Sequence, residues 1–309
     1  MNFKQLIKKT FLYPWYLSFY KKYSNRKNKR FIIADIKERI INDELLKDLT
    51  EDQLVHWNER IKTVLASEDN SKIKCVKNAG KLRRELLVMH NGIVIEPLSY
   101  YGFPILKVLV ENKGIHEPQE EYVFQEVLKE MPDEATMIEL GAYWSFYSMW
   151  FNKKVKKAKN YMIEPSHLDD GIKNFKINKL HGNFFKAFIA DIPGINENGV
   201  EIISIDNFIK ENNIDFVDIL HSDIQGEELS MLKGAINLLS KKRVGYIFIS
   251  THSDLLHEQC MNYLENAGYI RVSSANLQES YSWDGLLVYT NPDYKGIKEL
   301  EISIRKPHS

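Results

Sequence analysis

TMIELGAYWSFYSM, Thr136 to Met149, reads as a buried strand over Thr136 to Leu140 that enters a glycine turn and then a helix. The strand ends in Glu139-Leu140-Gly141, so a carboxylate and a Cβ-free backbone stand at the carboxyl edge of a parallel sheet. Ligands of open α/β folds bind at that edge. The helix that follows begins with unbonded N–H groups beside it, suited to holding a polar ligand.

Four more apolar runs downstream end in polar residues. Tyr161-Met162-Ile163 ends at Glu164, Phe184 to Ile189 at Ala190-Asp191, Phe216 to Leu220 at His221-Ser222-Asp223, and Val244 to Ile249 at Thr251-His252. The polar ends 139, 164, 191, 223 and 252 are spaced by 25, 27, 32 and 29 residues, each enough for one strand and one crossover helix. Amphipathic stretches at Leu168 to Lys179, Glu227 to Leu239 and Leu255 to Ala267 supply the helices. Right-handed crossovers then bring all five polar ends to one edge of the sheet.

A carboxylate some twenty residues beyond a glycine turn, at the end of the second strand, is placed to accept from ribose hydroxyls, and Glu164 occupies that place. No G-x-G-x-x-G loop is present, which argues against a dinucleotide and for a nucleoside without pyrophosphate. S-adenosylmethionine fits that description. Glu164 before Pro165 also reads as a helix cap, and Asp191 before Pro193-Gly194 as a turn residue. His221 and Asp223 lie two apart at a strand end and share a side if the strand holds; His252 ends the next strand. The three read as a general base held by a carboxylate, as part of a divalent-metal site with an incomplete ligand set, or as backbone-bonding edge residues.

Upstream, residues 1 to 30 hold nine Lys or Arg and no Asp or Glu, leaving 33 basic against 42 acidic residues in 31 to 309. Phe3, Phe11, Tyr13, Trp15, Tyr16, Phe19, Tyr20 and Tyr23 interleave with those cations. Such a segment either packs an aromatic helix on the body or meets an anionic membrane peripherally; without a further basic patch it does not favour nucleic acid. Asp35 to Ala66 has the apolar spacing of two helices, Ser67 to Lys81 reads as a polar linker, and Val88 to Val110 as short strands and turns. Glu117-Pro118 opens a helix through Leu128. No apolar run reaches the roughly 18 residues of a membrane-spanning helix. Cys75 and Cys260 are far apart and lack metal spacing, which fits a reducing, cytoplasmic compartment.

These strings resemble the FkbM family of S-adenosylmethionine-dependent methyltransferases. The resemblance is carried by Gly114-Ile115-His116-Glu117-Pro118, Ile138-Glu139-Leu140-Gly141-Ala142-Tyr143-Trp144, Ile163-Glu164-Pro165, Ser204-Ile205-Asp206, Thr251-His252-Ser253 and Asp284-Gly285. Most specific is His221-Ser222-Asp223-Ile224-Gln225-Gly226 followed by Leu232-Lys233-Gly234-Ala235. It implies an α/β fold of class I methyltransferase (Rossmann-like) type with a mostly parallel sheet. The expected organisation is a basic aromatic segment 1–30, an accessory helical or mixed region 31–113 and a methyltransferase domain 114–309. It also implies O-methylation, often of sugar hydroxyls, and cofactor roles for Glu139, Gly141, Glu164 and Asp223.

The reading taken forward is an O-methyltransferase acting on a hydroxyl of a saccharide. Glu139 and the Gly141-Ala142-Tyr143 turn hold the amino-acid end of the cofactor, Glu164 the ribose, and Ala190-Asp191 the adenine side. His221 or His252 deprotonates the acceptor, oriented by Asp223; a divalent metal is the less favoured variant. Ser145 stands where the family has a second loop glycine, four residues after Gly141. That substitution motivates the competing reading, a cofactor-binding or scaffold protein without catalysis, docked at a membrane or glycan-assembly complex.

Overall fold

A computed structural model describes residues 29–306. The basic aromatic segment therefore lies, but for its last two residues, outside the described residues. Chain order begins with α1 (Lys29–Ile41) and α2 (Glu51–Ala66), a small antiparallel sheet β1 (Leu82–Arg83), β2 (Leu86–Val88) and β3 (Val94–Ile95), then α3 (Gly102–Glu111) and α4 (Pro118–Val127). Next come β4 (Thr136–Leu140), α5 (Phe146–Lys154), β5 (Lys159–Ile163), α6 (Leu168–Asn178), β6 (Asn183–Phe185), β7 (Ala187–Ile189), β8 (Gly194–Ile195) and β9 (Glu201–Ile203). The chain continues through α7 (Ile205–Glu211), β10 (Val217–Ser222), α8 (Glu228–Lys233), α9 (Ile236–Ser240), β11 (Val244–Thr251), α10 (Asp254–Asn266), β12 (Ile270–Ala275) and β13 (Gly285–Thr290).

The central sheet has seven strands in the order β12-β13-β11-β10-β4-β5-β6. Strands β11, β10, β4, β5 and β6 are parallel, and β13 and β12 add an antiparallel hairpin at one edge that sequence reading had not anticipated. β4 is central and buried along its whole length because helices cover both faces. Strand alternation sorts its neighbours: Met137, Ile219 and Phe248 enter one apolar cluster, Ile138, Leu220 and Ile249 the other. The first cluster runs on into Ile36, Trp57, Val64 and Leu106, so α1, α2 and α3 extend that face of the core.

Three local readings change. Ile105 to Val110 is helical rather than stranded: positive φ at Tyr101 and Gly102 turns the chain, Pro104 sits in the first turn, and a short apolar run has no period of its own to decide. The strand read over Phe184 to Ile189 is broken at exposed Lys186. Its first half closes the central sheet as β6, and its second pairs with β9 in a separate three-stranded sheet. The helix read over Glu227 to Leu239 splits at Gly234-Ala235, because the Asp206 carboxylate accepts from Asn237 N (2.8 Å) and Leu238 N (2.9 Å) and so caps α9. The stretch read as a linker is anchored: buried Asp69 accepts from Ser303 N at 2.8 Å and Oγ at 2.7 Å, tying the C-terminal segment down.

Candidate active site

The loop after β4 alternates positive and negative φ, with Gly141 at 71°, Tyr143 at 36° and Ser145 at 60°. At Gly141 no other residue fits, since a Cβ would run into the Asp223 carbonyl oxygen. Asp223 N donates to Leu140 O at 3.0 Å, so the ends of β4 and β10 are pressed together there. Ser145 adopts the left-handed conformation that glycine would take, at a cost of about 1 kcal/mol. Its side chain fills the space that Gly171 of α6 leaves open. The loop keeps its shape without the second glycine because the glycine stands on the facing helix.

Glu164, at the end of β5, satisfies both sequence readings. Oε1 accepts from Ser166 N (2.7 Å) and His167 N (3.0 Å), ordering the turn into α6. Oε2 faces the loop and takes a long 3.4 Å bond from Tyr143 N. His167 lies 4.8 Å from the Tyr143 ring, and Tyr101 edges against Tyr143 at 5.5 Å. Asp191 follows β7, exposed, accepting from Ser230 Oγ at 3.1 Å; Ala190 is tied to β9 through Ile203 O. Because β7 left the central sheet, Ala190 and Asp191 follow a strand of the small sheet rather than one of the central parallel strands.

Glu139, His221 and Ser250 form a buried polar row across β4, β10 and β11, on the side facing α4. Glu120 of α4 meets it: Oε1 lies 2.6 Å from His221 Nε2, and Oε2 accepts from Ser250 Oγ at 3.2 Å. Burial opposes charge on both groups of the Glu120–His221 pair, while Glu120 lifts His221 above its ordinary value. Burial also pushes Glu139 up to about 7; its carboxylate accepts from Ser148 N at 3.2 Å. Below this row, Glu121 is gripped by His116 Nδ1 (2.6 Å) and His90 Nε2 (2.8 Å). Burial works against the His116 charge, yet Glu117 and Glu121 outweigh it and raise that histidine to about 10.

His252, one residue past β11, is held differently. Nδ1 lies 2.5 Å from Glu228 Oε1 at the start of α8, and Nε2 faces Asp223 at 3.2 Å and Asp284 at 3.5 Å. Burial opposes its charge, but bonds to Asp223 and Glu228 and the field of Asp284 raise it well above 6.5. Asp284 itself is raised to about 6, chiefly by burial. The convergence expected of His221, Asp223 and His252 is therefore partial: Asp223 lies past the end of β10 and pairs with His252, whereas His221 turns under α4. The carboxylate that orients His252 is Glu228 rather than Asp223, which stands on the open Nε2 side. Among the described residues no group of three His, Cys, Asp or Glu is arranged to hold a metal ion.

A model of the methyltransferase FkbM domain matches residues 75–271. The chain belongs to the FkbM methyltransferase family. The strand order, with parallel β6-β5-β4-β10-β11 closed by an antiparallel hairpin, is the class I methyltransferase fold, and this FkbM protein is an S-adenosylmethionine-dependent methyltransferase. Similar solved structures include a precorrin-6y C5,15-methyltransferase from Geobacter metallireducens GS-15, at 14% identity over 55% of this chain and 87% of that chain, TM-score 0.37. Another is TrmK of M. capricolum in complex with S-adenosyl-homocysteine, at 13% identity over 56% and 69%, TM-score 0.38. A SAM dependent methyltransferase from Aquifex aeolicus shares 15% identity over 54% and 89%, TM-score 0.33. No curated protein matches. Among the described residues of the FkbM chain no helix is long and apolar enough to cross a membrane.

Residues that sequence reading left without a role stand in this site. Glu228 carried a signal, being one of two adjacent carboxylates opening a helix, but its inward direction needed the bend at Gly226. Glu120 was hidden within an ordinary amphipathic helix. Arg60 and Tyr101 come from the region outside the recognisable motifs, where nothing in their spacing marks them.

Proposed function

We propose that this protein transfers a methyl group from S-adenosylmethionine to a hydroxyl of a saccharide, with His252 as general base. The observation that carries the reading is the Glu228–His252 pair. A buried carboxylate holds Nδ1–H, so Nε2, which meets Gln225 Nε2 at 2.9 Å and Asp223 at 3.2 Å, is the nitrogen that exchanges a proton once the cofactor's positive charge has lowered the histidine. The cofactor fits the residues present: the Gly141 turn, bare of a side chain at the sheet edge, suits its amino-acid end, and Glu164 Oε2 suits the ribose hydroxyls. The acidic surroundings of Asp223, Glu228 and Asp284 suit its positive charge. When bound it supplies a methyl group on a sulfonium, so that the new O–C bond forms as the C–S bond breaks. His252 takes the hydroxyl proton, and Asp223 and Asp284 stabilise the imidazolium formed. A sugar hydroxyl is a poor nucleophile, which is why a base belongs there.

The scaffold reading rested on Ser145, and it loses that support because Gly171 accommodates the serine. Calorimetric titration with S-adenosylmethionine on wild type and Glu164→Ala tests the cofactor site; tight binding that weakens strongly in the mutant is expected. His252→Ala should then abolish transfer of labelled methyl to a glycan acceptor while binding cofactor within a few-fold of wild type. Methyl transfer retained near the wild-type rate in His252→Ala, or a loss explained wholly by lost cofactor binding, would count against its role as base.

A further inference from the structure

Arg60 reaches this site from α2, outside the span of the family match. It is 6% exposed, and its guanidinium carbon lies 4.0 Å over the Trp283 ring and 5.7 Å from the Trp57 ring. The two indoles are 4.9 Å apart, and His56 lies tilted against Trp283 at 4.2 Å. The rings cover the guanidinium by cation–π contact and leave its N–H edge to make hydrogen bonds.

Among the described residues that edge has no partner: no hydrogen bond or ion pair engages Arg60, and its Nε is buried without an acceptor. Residues 1 to 28 contain no Asp or Glu, so they supply no side-chain carboxylate either. A buried guanidinium N–H without an acceptor is costly, so buried arginines are hydrogen-bonded as well as charge-balanced. Asp284 and Glu117 feel the Arg60 charge, which lowers both after burial and their histidine neighbours have acted, yet neither accepts a bond from it. Asp284 is the carboxylate 3.5 Å from His252 Nε2, and Trp283, over which Arg60 lies at 4.0 Å, is the residue before it in the chain. The missing partner then arrives with the acceptor. A two-oxygen anion matches the planar fork of N–H groups better than a single hydroxyl does.

We propose that Arg60, held over Trp283 and beside Trp57, recognises an oxyanion group, carboxylate or phosphate, carried by the saccharide whose hydroxyl faces His252. The inference rests on the O-methyltransferase reading for the word saccharide, and on the unpaired guanidinium for the anion. It assigns acceptor choice to the N-terminal region and to the loop before β13, and leaves the cofactor to the family core.

Tryptophan fluorescence reports on the site directly. Protein saturated with S-adenosyl-homocysteine is titrated at constant ionic strength with sodium glucuronate, glucose 1-phosphate and glucose, as wild type, Arg60→Gln and Arg60→Lys. At least one of the two anions should bind wild type about tenfold or more tighter than glucose, and that preference should vanish in Arg60→Gln and fall in Arg60→Lys. Whichever anion binds better distinguishes a uronate from a phosphate. Anions binding no better than glucose, or equally well to Arg60→Gln, would overturn the proposal. Calorimetry with S-adenosyl-homocysteine runs alongside: unchanged affinity in Arg60→Gln shows an intact fold and cofactor site. Wild type that fails to bind it would remove the methyltransferase reading, and the titrations repeated without it would still judge Arg60.

Discussion

Gly171 is bare where Ser145 is not: a Cβ on Gly171 would overlap the Ser145 hydroxyl oxygen and stand 2.9 Å from the Tyr143 carbonyl oxygen. The loop that is to hold the cofactor and the helix behind it have exchanged a glycine. Gly171→Ala should therefore destabilise the fold by about 1–3 kcal/mol through overpacking and weaken S-adenosylmethionine binding. Adding Ser145→Gly should recover part of both losses, since the Tyr143 carbonyl remains. Urea unfolding of the two single mutants and the double mutant reads the coupling; additive effects would show that the two positions do not share this space.

The buried Glu121 is charged for its histidines. His90 and His116 both bond it, and it also accepts from His116 N (2.7 Å) and Glu117 N (3.0 Å), fastening the start of α4 to the turn after β2. Its carboxyl is held far below the usual range, because the field of His116 and His90 exceeds the cost of burial. Glu121→Gln should cost about 3–5 kcal/mol, as it breaks a buried ion pair and leaves Glu117 alone to balance the His116 imidazolium. A denaturation midpoint unchanged from wild type would contradict this pairing.

Glu139 has the opposite bias. Its folded value of about 7 lies above the ordinary 4.5, so its contribution to stability is present below pH 4.5 and is lost as the pH rises through about 7. Glu139→Gln, which is neutral at every pH, should stabilise the ligand-free protein by about 3 kcal/mol at pH 8.5 and by little at pH 4.5. Thermal melts across that range measure it, and an advantage that does not grow with pH would refute the assignment.

His252 should be an imidazolium in the ligand-free protein at neutral pH. A histidine raised above 6.5 stabilises fully below that pH and loses the contribution as the pH climbs through its folded value. Glu228→Gln should move the His252 titration down toward 6.5, and S-adenosylmethionine, bringing positive charge, should move it the same way. Nitrogen-labelled histidine followed by NMR gives both shifts; a His252 already neutral at pH 7 in the free protein would exclude this electrostatic picture.

Much of the site was legible because it lies in order along the chain. Strand β4 was read with its observed bounds, and Glu139, Gly141, Glu164, Asp223 and His252 all fall at strand ends, where period and spacing speak. Direction was not legible. His221 and Asp223 are two residues apart, but β10 stops between them, so one turns under α4 to Glu120 and the other toward His252. The break at Lys186 was equally silent, because an edge strand can leave its ladder without disturbing its apolar pattern.

By itself the sequence determined the sheet's parallel core, the glycine turn and the family, since these follow from local periodicity and from strings a few residues long. The tertiary structure alone decided which carboxylate serves which histidine, that Gly171 compensates Ser145, and that Arg60 lies over Trp283 without a hydrogen-bond partner among the described residues. Each of those is a relation between side chains distant in the chain, set by how helices pack on a sheet face, and no local pattern records it.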